Sequence, residues 1–170
     1  MILLDVDGVL CNWVQGIIDT HNFPIKHDEW DSWNHHSSFM SDEDLWAPTY
    51  DGKWWENLKP YPWAHELFKE LYKRDEVIFC TSPNWDSTCP TQKINWLREY
   101  HFLGCRDTRY QIGSRKELNA KSGAILIDDY PENIYKYRGA GGTSILFPQP
   151  WNKIFVQDKI GYVINCMDEL

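Results

Sequence analysis

Three apolar runs in this chain each end in polar or acidic residues. "ILL" leads into Asp5-Val6-Asp7-Gly8, "EVIFC" into Thr81-Ser82, and "GAILI" into Asp128-Asp129. Short runs of Ile, Leu and Val without polar alternation suit strands covered on both faces, the environment of a parallel sheet. Further strands are predicted at "RYQIG", at "TSILF" before Pro148, and at "GYVI" near the end. Helical spacing separates them. Leu10, Trp13, Val14, Ile17 and Ile18 fall at i, i+3, i+4, i+7 and i+8. "AHELFKELYKR" turns Leu67, Phe68 and Leu71 inward, and a helix begun at Pro90 turns Ile94 and Leu97 inward. Strands alternating with helices predict an α/β fold with a central parallel sheet between helical layers. In such a sheet the three polar ends share one edge, where open α/β folds hold their ligands.

One interval breaks the alternation. Between the first two strands the chain is far too long for a simple crossover. Seven of the ten tryptophans lie there, between positions 13 and 63. The stretch is rich in His, Asp and Ser, and helical patterning is confined to patches such as Asp42 to Leu45. The expectation is a single α/β core, residues 1–11 and 64–170, with a small helical, Trp-rich cap, residues 12–63, inserted after the first strand. At 170 residues, 42% of them hydrophobic, the chain can bury a core. Its net charge of −8 and the lack of a Lys/Arg cluster argue against a long nucleic acid as partner. Five cysteines, an odd number with no C-x-x-C, indicate neither a disulfide framework nor a zinc site. Strand-like residues begin at position 2 and no apolar run could span a bilayer, so the expected setting is the cytoplasm, with no membrane partner.

The paired acids carry the chemistry. Asp5 and Asp7 are i and i+2 on an extended segment, so their side chains project to one side. Carboxylates that close repel unless a cation lies between them. For an isolated D-x-D-G, an acidic turn capping the next helix is an equal reading. A second acidic pair, Asp128-Asp129, on the same edge favours a site for a hard divalent cation with oxygen ligands, Mg²⁺ foremost. "SRKE" at 114–117 reads as a capping box from Ser114 to Glu117, which puts Lys116 in a first helical turn, where the helix dipole disfavours a cation. A local conflict of that kind is the sort expected at a functional site. His35 and His36 are adjacent, so their side chains point apart, and a solvated loop is expected there.

"DVDGVL", "CTSP", a later Lys and "LIDD" together resemble the four motifs of the haloacid dehalogenase (HAD) superfamily of phosphotransferases. Within it the chain resembles the 5′(3′)-deoxyribonucleotidases, through "WWENLKPYPWA", "CPTQKINW" and "LIDDYPEN"; the resemblance covers most of positions 1 to 138. It implies a Rossmann-like three-layer fold and a Mg²⁺-dependent phosphatase acting through an aspartyl-phosphate. Asp5 would be the nucleophile. Asp7 would be the general acid and then base, lending its backbone carbonyl to the metal. Thr81 and Ser82 would hold phosphate oxygens, Lys116, with Lys121 as the rival lysine, would neutralise charge, and Asp128 and Asp129 would complete the metal site. Trp13 would pack on the nucleobase, with Trp30, Trp33 and Trp46 as further candidates. The implied partner is a nucleoside monophosphate; self-association as a homodimer stays open. Two other readings also stand: a phosphatase of sugar phosphates or other small phosphomonoesters, and a non-catalytic nucleotide-binding module.

Overall fold

Five parallel strands form the sheet of the computed structural model, which describes residues 1–170 except the side chain of Asp51. They are β1 (Ile2–Leu4), β2 (Val77–Thr81), β3 (Tyr110–Ile112), β4 (Ile125–Asp128) and β5 (Thr143–Leu146), in the order β3-β2-β1-β4-β5. In register, Leu4 pairs with Phe79 on one side and Ile127 on the other. The strand holding the first acidic motif is therefore central, flanked by the strands holding the other two.

Both faces of the sheet are covered. Ile2, Leu4, Val77, Phe79, Ile127 and Ile145 belong to a large apolar cluster on one face. Leu3, Cys80, Leu126 and Tyr137 form a smaller cluster on the other. That division follows the strand period of two, and it explains why the runs show no polar alternation. The helices are α1 (Trp13–His21), α2 (Asp42–Trp46), α3 (Trp54–Asn57), α4 (Ala64–Tyr72), α5 (Cys89–Glu99), α6 (Pro131–Gly139) and α7 (Lys159–Asp168). Helix α6 lies against β4 and β5, and α7 against β5 and α4.

Three sequence expectations need correction. "GYVI" is part of α7. Asp158 caps that helix by accepting from Gly161 N at 2.8 Å, and the packed positions Ile160, Val163, Ile164 and Met167 fall at i, i+3, i+4 and i+7. The capping box at Ser114 does not form. A short 3-10 helix, Lys116–Asn119, begins after Arg115, and Glu117 accepts from Arg115 Nε at 2.8 Å. On α5 the inner face is Cys89, Gln92, Lys93, Trp96 and Leu97, whereas Ile94 is only half-buried.

The long interval contains α1, α2 and α3 joined by 3-10 turns, His27–Glu29, His35–Ser38 and Ala47–Asp51. The chain leaves and returns at one place: Cys11 bridges Pro60, Asn12 N donates to Lys59 O at 2.9 Å, and Tyr61 N donates to Leu10 O at 2.8 Å. At Gly16, α1 meets the residue that follows α3: a Cβ would lie 2.2 Å from Leu58 Cδ2. The apolar residues of this interval, among them Val14, Ile17, Trp30, Leu45 and Leu58, join the same cluster as the sheet residues.

Candidate active site

The sheet edge gathers the predicted acids. Asp5 prolongs the central strand by one residue, its N donating to Ile127 O at 2.9 Å. Its Oδ1 accepts from Val6 N at 2.8 Å and meets Lys116 Nζ at 2.8 Å. The chain then turns at Gly8 with φ of +78°, and a Cβ there would lie 2.1 Å from Asp129 Oδ2. Glycine is needed on both counts, for the left-handed backbone and for the carboxylate seated against it.

At the end of β4, Asp128 is fully buried and held by four donor contacts. Lys116 Nζ donates to its Oδ2 at 2.6 Å, Tyr130 N to its Oδ1 at 2.9 Å, and Asn133 Nδ2 reaches both oxygens at 3.1 and 3.0 Å. Asp129 accepts from Trp151 Nε1 at 2.8 Å. Asp5, Asp128 and Asp129 each offer an oxygen within 4.8 Å of the others. Burial, then repulsion by Asp128, pushes the Asp5 carboxyl up to about 7, against the pull of Lys116. Burial and the neighbouring Asp5 likewise push Asp129 well above the carboxylate range. Burial alone would depress Lys116, but Asp128 and Asp5 outweigh it and hold the ammonium protonated. An all-oxygen set of three buried acids, with one ammonium among them, suits a hard divalent cation.

Asp7 faces the end of β2. Its Oδ2 accepts from Thr81 Oγ1 at 3.1 Å and is ion-paired with Lys93, while its buried Oδ1 has no partner. Lys93 also donates to Thr81 Oγ1 at 3.1 Å and to the carbonyl of Ser82, and its Nζ sits 4.5 Å over the Trp55 ring. Lys93 is the residue that reading the sequence missed. A signal was present: Gln92 and Lys93 occupy the apolar stripe of α5, between Cys89 and Trp96. A buried lysine on a core stripe is costly without a partner.

A cleft of about 490 Å³ opens over these groups. Asp5, Asp7, Lys93, Lys116 and Asp129 line its floor, and Trp13, Trp33, Trp46 and Trp55 line its walls with Ser82, Asn84 and Trp85. Trp46 lies between Trp13 and Trp55, ring centroids 6.0 and 6.2 Å away and nearly parallel to both. Trp33 packs on Tyr130 at 4.2 Å. Trp30 is brought elsewhere: it is fully buried, packs edge-on to Trp13, and does not line the cleft. His36 is not solvated as expected. It is 6% exposed, reaches the cleft, and bonds Asp42 Oδ1 at 2.5 Å. His35 pairs separately with Asp31 at 2.9 Å. Lys121 is exposed, whereas Lys116 is buried and lines the cleft.

A parallel sheet with an acid-tipped central strand, a second acidic pair on its neighbour and a buried lysine between them defines a HAD-type hydrolase. The solved structures agree on the fold. A haloacid dehalogenase-like hydrolase from Streptococcus pneumoniae superposes with a TM-score of 0.57 at 15% identity, covering 97% of each chain. A HAD-type protein from Bacillus subtilis, described as bound to magnesium, superposes with a TM-score of 0.54 at 12% identity, covering 86% of this chain and 85% of its own. Within that class, residues 1–160 match the family model described as 5′ nucleotidase, deoxy (Pyrimidine), cytosolic type C protein, and the chain belongs to this family. Two proteins named as candidate 5′(3′)-deoxyribonucleotidases, from Bordetella pertussis and Bordetella bronchiseptica, are 30% and 31% identical over 142 residues, which is 77% of this chain and 74% of theirs. The chain is a phosphomonoester hydrolase of the nucleotidase kind. Among the described residues, no helix is long and apolar enough to cross a membrane.

Proposed function

We propose that this protein is a Mg²⁺-dependent nucleotidase that hydrolyses 5′(3′)-deoxyribonucleoside monophosphates, with residues 12–63 acting as a cap that holds the nucleoside. The carrying observation is the continuity of one cleft from the acidic floor to four tryptophan walls. Sugar-phosphate sites need many hydrogen-bonding side chains, whereas stacking walls suit a base. The metal would be held by Asp5, Asp128 and Asp129 with the backbone carbonyl of Asp7; when bound it supplies charge for the phosphoryl oxygens. The relatives' names and the magnesium of the Bacillus subtilis protein support this reading.

The residues divide the work. The Asp5 carboxylate attacks phosphorus, forming an aspartyl-phosphate as the ester bond breaks. Lys116, lodged between Asp5 and Asp128, neutralises charge as the phosphoryl group arrives. Thr81 and Ser82 bind phosphate oxygens. Lys93 occupies Asp7 Oδ2 in the free protein. An incoming phosphate dianion competes for that ammonium, and a swing of Lys93 to the phosphate releases Asp7 for proton transfer. Asp7, freed as a carboxylate, takes up a proton from solvent, gives it to the departing ribose oxygen as the phosphorus–oxygen ester bond breaks, and later takes a proton from the water whose oxygen displaces the Asp5 carboxylate from phosphorus.

Two expected results test this. The first concerns the cation. Asp5 and Asp129 hold protons more tightly when folded than when unfolded, from the ordinary 3.8 up to about 7 for Asp5. Their contribution to stability without metal therefore falls as pH rises across that window. A cation needs the same carboxylates ionised. The rise in melting temperature on adding Mg²⁺ should thus be larger at about pH 8 than at about pH 5.5. The His27 imidazole, which burial and then Lys159 lower to about 4, titrates alike with and without metal and cancels. An equal Mg²⁺ effect at both pH values would refute the acidic cation site.

The second concerns the cap, with a panel of deoxy- and ribonucleoside monophosphates, sugar phosphates and p-nitrophenyl phosphate as substrates. Trp46 is half-buried between two rings at the cleft. Trp46→Ala should cost nucleotides roughly 1–3 kcal/mol in kcat/KM and spare p-nitrophenyl phosphate. Trp13 is 5% exposed and touches four aromatic rings. Trp13→Ala should mainly destabilise the protein, by about 3–5 kcal/mol. Faster turnover of sugar phosphates than of any nucleotide would favour the sugar-phosphate reading.

A further inference from the structure

The chain after β5 returns to the site, where neither the motifs nor the family resemblance assigned it a role. Trp151 lies in a short 3-10 helix, Pro150–Asn152, and is 6% exposed. Its Nε1 donates to Asp129 Oδ2 at 2.8 Å, the one side-chain hydrogen bond to that carboxylate among the described residues. The next residue grips the same aspartate from behind, Asn152 Nδ2 donating to the Asp129 carbonyl at 2.9 Å and to the Phe147 carbonyl at 2.7 Å. Gln149 donates to the carbonyl of Gly8, the glycine against which the Asp129 carboxylate rests, and Lys159 holds Gln149 Oε1 at 2.9 Å. The Trp151 ring is itself wedged between Trp13 at 6.0 Å and His27 at 5.7 Å.

We infer that Trp151 is a positioning residue for the cation site: its indole N–H fixes the Asp129 carboxylate by one oxygen and so leaves the other presented to the metal. This rests on the cation reading above. The physical case is direct. Ionised to take a cation, Asp129 is a buried carboxylate beside Asp5 and Asp128, and their repulsion favours turning it aside unless a donor holds it. One N–H on Oδ2 stabilises the ionised form and fixes the rotamer at once. Partners of metal ligands commonly change metal affinity by about 10–100-fold when removed.

The experiment is calorimetric titration of Mg²⁺ into the whole protein with no nucleotide present. It compares wild type, Trp151→Phe, Asp129→Asn, and a protein carrying 3-benzothienylalanine at 151. In that last side chain sulfur replaces the N–H within nearly the same shape. Both Trp151 variants should bind Mg²⁺ about 10–100-fold more weakly, and the benzothienyl protein should melt close to wild type without metal. Trp151→Phe placed on Asp129→Asn should add no further weakening, since the two act through one contact. Wild-type Mg²⁺ affinity in the benzothienyl protein would overturn the inference, whatever the phenylalanine variant does, because packing would then be the ring's whole contribution. If Asp129→Asn also binds like wild type, the cation reading falls along with it. Weak binding by Asp129→Asn beside normal binding by the benzothienyl protein defeats the inference alone.

Discussion

Asp5→Asn should abolish turnover, by at least about 10³-fold, because an amide cannot attack phosphorus and what remains is binding and electrostatic assistance. The same change should not harm the fold. Asp5 is a buried carboxylate raised by burial and by repulsion from Asp128, so replacing it with a neutral isostere removes a repulsion. Lys116 keeps its 2.6 Å contact to Asp128. The metal-free variant should melt at or above the wild-type temperature, the trade between stability and activity expected where like charges are gathered for chemistry. Activity above about a tenth of wild type would exclude Asp5 as nucleophile.

Asp7→Asn should lower kcat by on the order of 10²-fold or more while nucleotide and Mg²⁺ still bind. The backbone carbonyl proposed for the metal survives the substitution. What goes is the proton shuttle and the ion pair with Lys93. Lys93 keeps the Ser82 carbonyl and Thr81 Oγ1 as acceptors, so it is not left as an orphaned buried charge. With the competing carboxylate gone, Lys93 is free for the phosphate, and KM should hold or fall as kcat collapses. Single-turnover kinetics separate the two steps. A variant with wild-type kcat would remove Asp7 from the proton path.

The acids were legible because each ends a strand, and strand ends in a parallel sheet share an edge whatever the helices do. Asp5, Thr81, Asp128 and Asp129 needed only the period of two and the alternation of elements. Lys116 was legible through motif order and not through the capping box, which the structure replaces with a 3-10 turn starting after Arg115. Lys93 showed in the sequence only through its place on the apolar stripe of α5, since its partner Asp7 lies 86 residues away. Trp151 was hidden for the same reason, its acceptor lying 22 residues upstream. Trp30 and Trp46 look alike as letters; whether an indole fills the interior or faces the cleft is settled by how α1, α2 and the turns cross. "GYVI" misled because four apolar-rich residues fit both periods, and only the longer run to Met167 reveals the helical one.

The interval between β1 and β2 leaves and rejoins the sheet at the Cys11–Pro60 bridge, yet it shares one apolar cluster with the strands. A segment tethered that way cannot rock open as a rigid flap without tearing Val14, Ile17 and Leu58 out of their packing. The rings at the cleft's rim, Trp33 against Tyr130 and the exposed Trp85, can turn without that loss. Side chains at a surface rearrange in picoseconds to nanoseconds, whereas domain hinges take microseconds to milliseconds. In this architecture, rotation of rim side chains can widen the cleft with the apolar cluster left whole.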